Sequence, residues 1–146
     1  MSEPKKNQAF SLEGLQEELE QDLHIDRGNI QNSAMDNPII YGKWIRHKAS
    51  LCRQRIGIEA ERVTVLKERL MFNTGRGDDV CEFDFSPTEL KTIIPAEDEV
   101  LIVTKKLDYL DLMIKFCDGA IEAVRQRGFS IRAIIDHQAL ISGTKF

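Results

Sequence analysis

The 146-residue chain has the composition of a folded protein, with 42% hydrophobic and 30% charged residues. This balance excludes wholesale disorder, and no run approaches the roughly 18 uncharged apolar residues that a membrane helix needs. The residues after Met1 lead into no apolar segment, so no secretory signal is expected. The formal net charge of −4, taken alone, argues against a protein that binds polyanions.

The charges are distributed unevenly along the chain. Residues 1–37 carry a net charge of −5, residues 38–75 carry +5, residues 76–119 carry −6 and residues 120–146 carry +2. A basic segment therefore lies between two acidic ones. Such asymmetry is typical of a protein with one surface that faces a polyanion.

The first predicted element is a short amphipathic helix. Ser11 is suited to its N-cap, and leucines at helical spacing continue to about Asp22.

The basic segment predicts one long helix over residues 38–73. Asn37 is a good N-cap, and Pro38 fits the first helical position, where its missing N–H costs nothing. The first strong stop is Asn73-Thr74-Gly75, in which Gly75 suits a left-handed C-cap.

Two apolar rows run along this predicted helix. The first has a spacing of seven and consists of Trp44, Leu51, Ile58, Val65 and Phe72. The second consists of Ile45, Ala49, Cys52, Ile56, Val63, Leu66 and Leu70. Two rows predict burial against more than one neighbour, and self-association would supply the second neighbour.

The rest of the chain also favours helices. Ser86-Pro87 predicts the start of a short helix, and the acidic turn at 97–99 predicts another that continues to Gly128. Ser130 is suited to cap a last helix that stops near Gly143. The run 100–104 also fits a strand, so a small β element near 81–104 stays open. The predicted class is mainly α: a long central helix packed with shorter helices in a bundle.

The sequence offers little support for catalysis. Gly75-Arg76-Gly77-Asp78 lacks the lysine and hydroxyl residue of a phosphate-binding loop, and we interpret it as a helix stop. The three histidines and three cysteines show no metal-ligand spacing, so reduced thiols in a cytosolic protein, no metal and no cofactor are expected. The acidic loops leave a small Mg²⁺-dependent nuclease as an enzymatic alternative, but no nucleophile is paired with a base.

The basic side chains of the long helix are the candidate binding residues. Cations interleaved with apolar residues would hold phosphates without reading base sequence, although a solvated coiled-coil face explains them equally well. Trp44 could stack a base, but its place in the first apolar row favours the core. The candidates are Lys43, Arg46, Lys48, Arg53, Arg55, Arg62, Lys67 and Arg69.

Six blocks of the sequence, in order, resemble the UvsY family, the recombination mediators of T4-like phages. They are LEGLQEELEQD (12–22), YGKWIRHKAS (41–50), RIGIEAERVTVLKERL (55–70), GRGDD (75–79), ELKTIIPAEDEVL (89–101) and FCDGAIEAVRQRGFSIRAIID (116–136). The likeness covers about residues 12–140.

The resemblance implies a non-enzymatic protein that binds single-stranded DNA in the cytoplasm of an infected bacterial host. It would help to load the phage strand-exchange recombinase onto DNA coated by the phage single-strand DNA-binding protein, and it would contact both proteins. This activity serves homologous recombination, recombination-dependent replication and repair. No membrane partner is implied.

The resemblance also carries residue assignments. The family's DNA-binding basic pair falls on Lys67 and Arg69, although Glu68 places an acid between them. Family members form ring-like homo-oligomers through the C-terminal part, which here falls within 97–142. The matching candidates are Phe116, Ile121, Val124, Phe129, Ile131, Ile134 and Ile135.

The expected organisation is a flexible extension at residues 1–10 followed by one helical domain at 11–146. The competing hypothesis is a structural or adaptor protein whose helices bind only protein partners and whose basic face is merely solvated.

Overall fold

The computed structural model describes residues 10–79, 81 and 83–143, and this part of the chain is almost entirely helical. The four α-helices are α1 (Leu12–Asp22), α2 (Ile30–Asn73), α3 (Pro87–Ile93) and α4 (Asp98–Ile141). Short 3₁₀ turns at Arg27–Asn29 and Ile94–Ala96 precede α2 and α4. The predicted mainly α class is confirmed. The predicted extension at residues 1–10 lies outside the described residues, except for Phe10.

Several predicted helix ends are confirmed in atomic detail. The Ser11 hydroxyl accepts a hydrogen bond from the Gly14 amide at the start of α1. Ser86 and Glu89 form a reciprocal capping box at the start of α3. Gly75 and Gly143 have φ values of 73° and 69°, the left-handed conformation that ends a helix.

The predicted start of the long helix at Asn37 and Pro38 is wrong, because α2 begins at Ile30 and contains Pro38 in its interior. An interior proline loses one backbone hydrogen bond and usually breaks a helix. Here tertiary contacts hold the flanking turn, since the side-chain amide of Asn37 donates a hydrogen bond to the Val124 carbonyl at 3.1 Å. Packing against α4 therefore overrides the local signal for a helix start.

The predicted break between Gly128 and Ser130 is also wrong, and so is the alternative of a strand at 100–104. α4 is continuous from Asp98 to Ile141, and no strand occurs among the described residues. Val100 and Val103 are buried at helical spacing, which overrides their β propensity. Gly128 serves close packing, because a Cβ there would lie 2.8 Å from the Asn37 side-chain nitrogen.

The described chain divides into two compact units. The first takes in the described residues of Met1–Ser50 and Leu112–Phe146, and the second is Leu51–Asp111. The core of the first unit includes the buried side chains of Leu15, Trp44, Met113, Cys117, Ala120, Val124 and Ile131. In the second unit, Val65, Leu66 and Phe85 pack against a buried cluster of Leu90, Ile94 and Val100. No helix within the described ranges is both long and apolar enough to cross a bilayer.

A buried guanidinium joins α4 to the start of α2 within the first unit. The Arg127 Nη1 donates to the Ser33 carbonyl at 3.2 Å and to the Asn37 Oδ1 at 2.8 Å. Its Nε and Nη2 both donate to the His24 carbonyl. The oxygens that accept these hydrogen bonds are all neutral. The buried guanidinium of Arg127 is therefore stabilised by its several N–H donors rather than by an opposite charge.

Replacing Arg127 with lysine is expected to destabilise the protein by about 2–4 kcal/mol, because an ammonium cannot reach the three acceptor groups at once. Urea unfolding at fixed protomer concentration measures the change. Arg125→Lys is the matched control, since Arg125 is exposed, and its effect should stay within about 0.5 kcal/mol. Equal stability of the two variants would contradict the assignment.

Candidate nucleic-acid interface

The eight predicted cations all lie on α2, three of them in the first unit. There the Lys43 Nζ lies 2.6 Å from Asp22, and the Lys48 Nζ lies 2.6 Å from Asp118. Arg46 is exposed and makes no ion pair with a residue in the described ranges. Two of the three positive charges are therefore matched by carboxylates of the same unit.

Trp44 belongs to the core of the first unit, as its place in the first apolar row predicts. It is buried, and its indole N–H donates to Asp22 at 2.9 Å. Its ring contacts the rings of His47 and Phe116 edge to face. It is therefore inaccessible as a stacking platform for a base.

Three of the five predicted cations in the second unit are also paired, and Arg55 and Arg62 make the more exposed of these pairs. The Arg55 Nε donates to Asp111 at 2.6 Å, and this hydrogen bond raises the pKa of Arg55. The Arg62 Nη1 lies 3.8 Å from Glu59, one turn earlier on α2. Both contacts are partly exposed, so they add little stability but reduce the positive charge available to a polyanion.

Arg69 is the most constrained cation of the set. Its Nε donates to Glu97, its Nη1 lies 3.8 Å from Glu99, and its guanidinium lies 4.5 Å from the centre of the Phe72 ring. The hydrogen bond to Glu97 raises the pKa of Arg69 despite partial burial. Asn73 also donates to Glu97, at 2.8 Å.

Glu97 is the acid that holds this network together. Burial raises its pKa, but hydrogen bonds from Arg69 and Asn73 outweigh burial, so the net pKa is lowered. A lowered pKa means that the folded state favours the carboxylate. The contact therefore stabilises the protein at neutral pH, and this stabilisation is lost as the pH falls through the pKa of Glu97.

Among the predicted cations of α2 in the second unit, Lys67 and Arg53 are the exposed ones, and neither pairs with an acid in the described part of the chain. Their spacing of fourteen residues places them on one face of α2. Arg46 extends the same spacing by a further seven residues toward the helix N-terminus. Sequence spacing alone thus relates the three of the eight predicted cations that lack a described acid partner.

A groove of about 630 Å³ runs beside Lys67 and Arg69. Four carboxylates line it together with the two cations, and they are Glu68, Asp78, Asp79 and Glu99. The groove interior is therefore net negative and disfavours a phosphate. An anion would approach Lys67 from its exposed side instead.

The two apolar rows of α2 differ in their environments, although Leu66 of the second row packs against the core of the second unit. In the second unit, Ile58, Val65 and Phe72 of the first row are partly buried. Ile56, Val63 and Leu70 of the second row are 73%, 59% and 47% exposed. Ile56 and Ile58 differ by about 200° around the helix, so the exposed row faces away from the core. The row that carries Arg53 and Lys67 lies about 40–60° from it.

The predicted oligomerisation residues are divided between core and surface. Val124 and Ile131 are buried within the first unit, whereas Phe129 and Ile135 are exposed. The partly buried members are Phe116, Ile121 and Ile134. The exposed members are the ones that a second subunit could reach.

Sequence reasoning missed the acids that neutralise the basic helix. For Glu97 the sequence indicates only a favourable place at a helix N-terminus, and no pattern marks Asp111 or Asp118. Residues separated by 28 to 70 positions show no spacing that would reveal a contact. Only the packing of helices could identify these pairs.

Within the described ranges, no group of three or more His, Cys, Asp and Glu side chains is arranged to hold a metal ion. His47 instead lies 2.7 Å from Glu18 and contacts the rings of Phe10 and Trp44. His47 therefore takes part in the packing of the first unit.

Comparisons with known proteins agree with the fold and the motifs. A family model described as the recombination, repair and single-stranded-DNA-binding protein UvsY matches residues 18–144. The recombination protein uvsY of Enterobacteria phage T4 is 39% identical over 134 residues, which cover 90% of this chain and 98% of that protein.

Solved structures give the same result. One crystal structure of the bacteriophage T4 recombination mediator protein UvsY matches with a TM-score of 0.85 and 35% identity, covering 92% of this chain and 99% of that one. A second lattice form of the same protein gives a TM-score of 0.85 and 37% identity, covering 90% and 99%. The chain therefore belongs to the UvsY family of recombination, repair and single-stranded-DNA-binding proteins.

Proposed function

We propose that this protein is a recombination mediator that binds single-stranded DNA through α2 and helps to load a phage strand-exchange recombinase. It does so on DNA already covered by the phage single-strand DNA-binding protein, and it contacts both proteins. Its place of action is the cytoplasm of the infected bacterial host. Membership of the family and the likeness to the T4 recombination mediator support this role. The role is one of binding and remodelling rather than catalysis.

The observation that carries the proposal is which cations on α2 are exposed and which are bound to an acid. Lys67 and Arg53 are exposed and share one helix face, so phosphates reach them without breaking an internal ion pair. Arg69, the second member of the basic pair that the resemblance implies, lies two residues further along α2 and is bound to Glu97. DNA therefore first meets Lys67, and it gains Arg69 only by competing with Glu97.

Self-association follows from the exposed apolar row. Ile56, Val63 and Leu70 form an exposed apolar row beside Arg53 and Lys67, and such a row is covered when two helices pack together. Exposed Phe129 and Ile135 offer a second apolar contact near the C-terminus. A ring of subunits would bury both regions and repeat the basic row around its circumference. Weak binding by each subunit then becomes tight binding by the whole ring.

The acidic segments have a complementary role in this proposal. The carboxylates around Glu99 and Asp78 repel phosphates from the interior of the groove that they line and so favour phosphate binding at the exposed row. The same negative surface is suited to contact basic regions of protein partners.

Lys67→Ala is expected to weaken single-strand binding and to reduce the steepness of its salt dependence. Each phosphate bound on a single strand contributes about 0.7 to the slope of log K against log salt, so the slope should fall by about that amount for each phosphate that the variant no longer binds. Fluorescence anisotropy with a labelled oligothymidine over a salt series measures both quantities.

Lys105→Ala is the matched control, because Lys105 is an exposed lysine of the same unit on α4. It changes the net charge equally and should leave the slope close to that of the parent. If Lys67→Ala and the parent have the same affinity and slope, α2 does not bind the strand through this residue. An adaptor that binds only proteins would then explain the basic helix better.

Ile56→Asp is expected to reduce the size of the assembly. Ile56 is 73% exposed, so the charge is harmless to an isolated subunit but costly in an apolar contact between subunits. Light scattering at matched protomer concentration measures the mass. Gln54→Asp, which adds the same charge at an exposed polar position of α2, should keep the parent mass. An unchanged mass for Ile56→Asp would exclude this row from the interface.

A further inference from the structure

An aromatic groove lies beside Arg69 in the second unit, at the loop that leads into α3. It has a volume of about 390 Å³, and three phenylalanines, Phe72, Phe83 and Phe85, contribute to its walls. Arg69 and Glu97 also line it, so the charges that line the groove cancel. A neutral aromatic groove does not attract a phosphate, but it suits a flat and uncharged ring.

Phe83 is the unusual residue of this groove. Its side chain is 67% exposed, although burying a phenylalanine ring ordinarily stabilises the folded protein. The Phe83 and Phe85 ring centres lie 5.9 Å apart with the planes tilted by 30°, so Phe85 supports one side of Phe83. Most of the Phe83 ring is left to contact solvent or a ligand.

The aromatic groove adjoins the groove beside Lys67, since Arg69 and Phe72 line both. A nucleic acid strand carries phosphates and bases side by side. A strand that binds Lys67 through one phosphate and continues past Arg69 would bring a base to the aromatic walls. The charge pattern, a free cation next to a neutral aromatic groove, matches this alternation.

We propose that the groove of Phe72, Phe83 and Phe85 is a base-stacking subsite, in which the exposed ring of Phe83 stacks against a base of single-stranded DNA. This inference rests on the proposed function and adds that the aromatic groove binds a base of the strand. Duplex DNA is excluded from such contacts because its bases are stacked on one another.

The subsite has little means of reading base identity. The Asn73 amide nitrogen donates to the Arg69 carbonyl and to Glu97, so both of its hydrogens are already used. Glu97 is likewise bound by Arg69. Stacking on an aromatic face accepts all four bases, which suits a protein that acts on DNA of any sequence.

The test compares two labelled strands of equal length, an oligothymidine and an abasic strand with the same phosphates but tetrahydrofuran in place of each nucleoside. Fluorescence anisotropy at fixed salt gives the affinity of each. The parent should bind oligothymidine at least about five-fold more tightly than the abasic strand, the lower end of what stacking of one base contributes. Phe83→Leu, which keeps an apolar side chain but removes the ring, should lose this advantage and bind the abasic strand as the parent does.

Phe83→Tyr is the matched control, because it keeps the aromatic face and should retain the parent preference. Equal binding of oligothymidine by Phe83→Leu and the parent would overturn the subsite, and so would an equal loss on both strands. Light scattering of Phe83→Leu should give the parent mass, whereas a changed mass would assign Phe83 to a contact between subunits and also overturn it.

The Lys67→Ala variant separates this inference from the proposed function. It should weaken both strands by the same factor, because both carry phosphates. If Lys67→Ala weakens both strands and Phe83→Leu weakens neither, the DNA-binding role stands and the stacking subsite fails. If Lys67→Ala weakens neither strand, the proposed binding site itself fails.

Discussion

The contact between Arg69 and Glu97 is the interaction on which the second unit's functional surface depends. It joins the last turn of α2 to the residue that precedes α4, and Asn73 strengthens it with a hydrogen bond to the same carboxylate. One of its partners, Arg69, lines both the negative groove and the aromatic groove. Because this contact holds the end of α2 in place, Lys67 stays exposed to solvent and Phe72 stays in the wall of the aromatic groove.

Most of the positive charge on α2 is balanced by carboxylates of the same unit. Lys43, Lys48, Arg55 and Arg69 each contact an acid from another helix or from the turn before one, and Arg62 contacts one on α2 itself. A segment with a net charge of +5 in the sequence thus presents only a few free cations. In the proposed mediator role, limited free charge on each subunit would let DNA pass from the coating protein to the recombinase rather than stay bound. In the proposed assembly, avidity would compensate for weak binding by one subunit.

The sequence was a good guide to the helices and a partial guide to the site. Ser11, Ser86, Gly75 and Gly143 act through nearby backbone groups, so their patterns predicted helix ends correctly. Pro38 and Gly128 led to wrong predictions of helix ends, because the contacts that Asn37 and Arg127 make within the first unit outweigh the local helix-ending preference of these residues. The basic helix was evident from charge spacing, but the acids that neutralise it were not. Glu97 and Phe83 reach the site only through the fold.

The central claim is that Glu97 competes with DNA for Arg69, and Glu97→Gln tests it most directly. Glutamine keeps the shape and a hydrogen-bond acceptor but removes the charge, so Arg69 becomes available to a phosphate. Single-strand affinity at low salt should rise by about five-fold, the effect of removing one partly screened charge near the phosphate. Glu99→Gln, at the more exposed acid 3.8 Å from Arg69, is the control and should give a smaller gain. An unchanged or lower affinity for Glu97→Gln would contradict the claim.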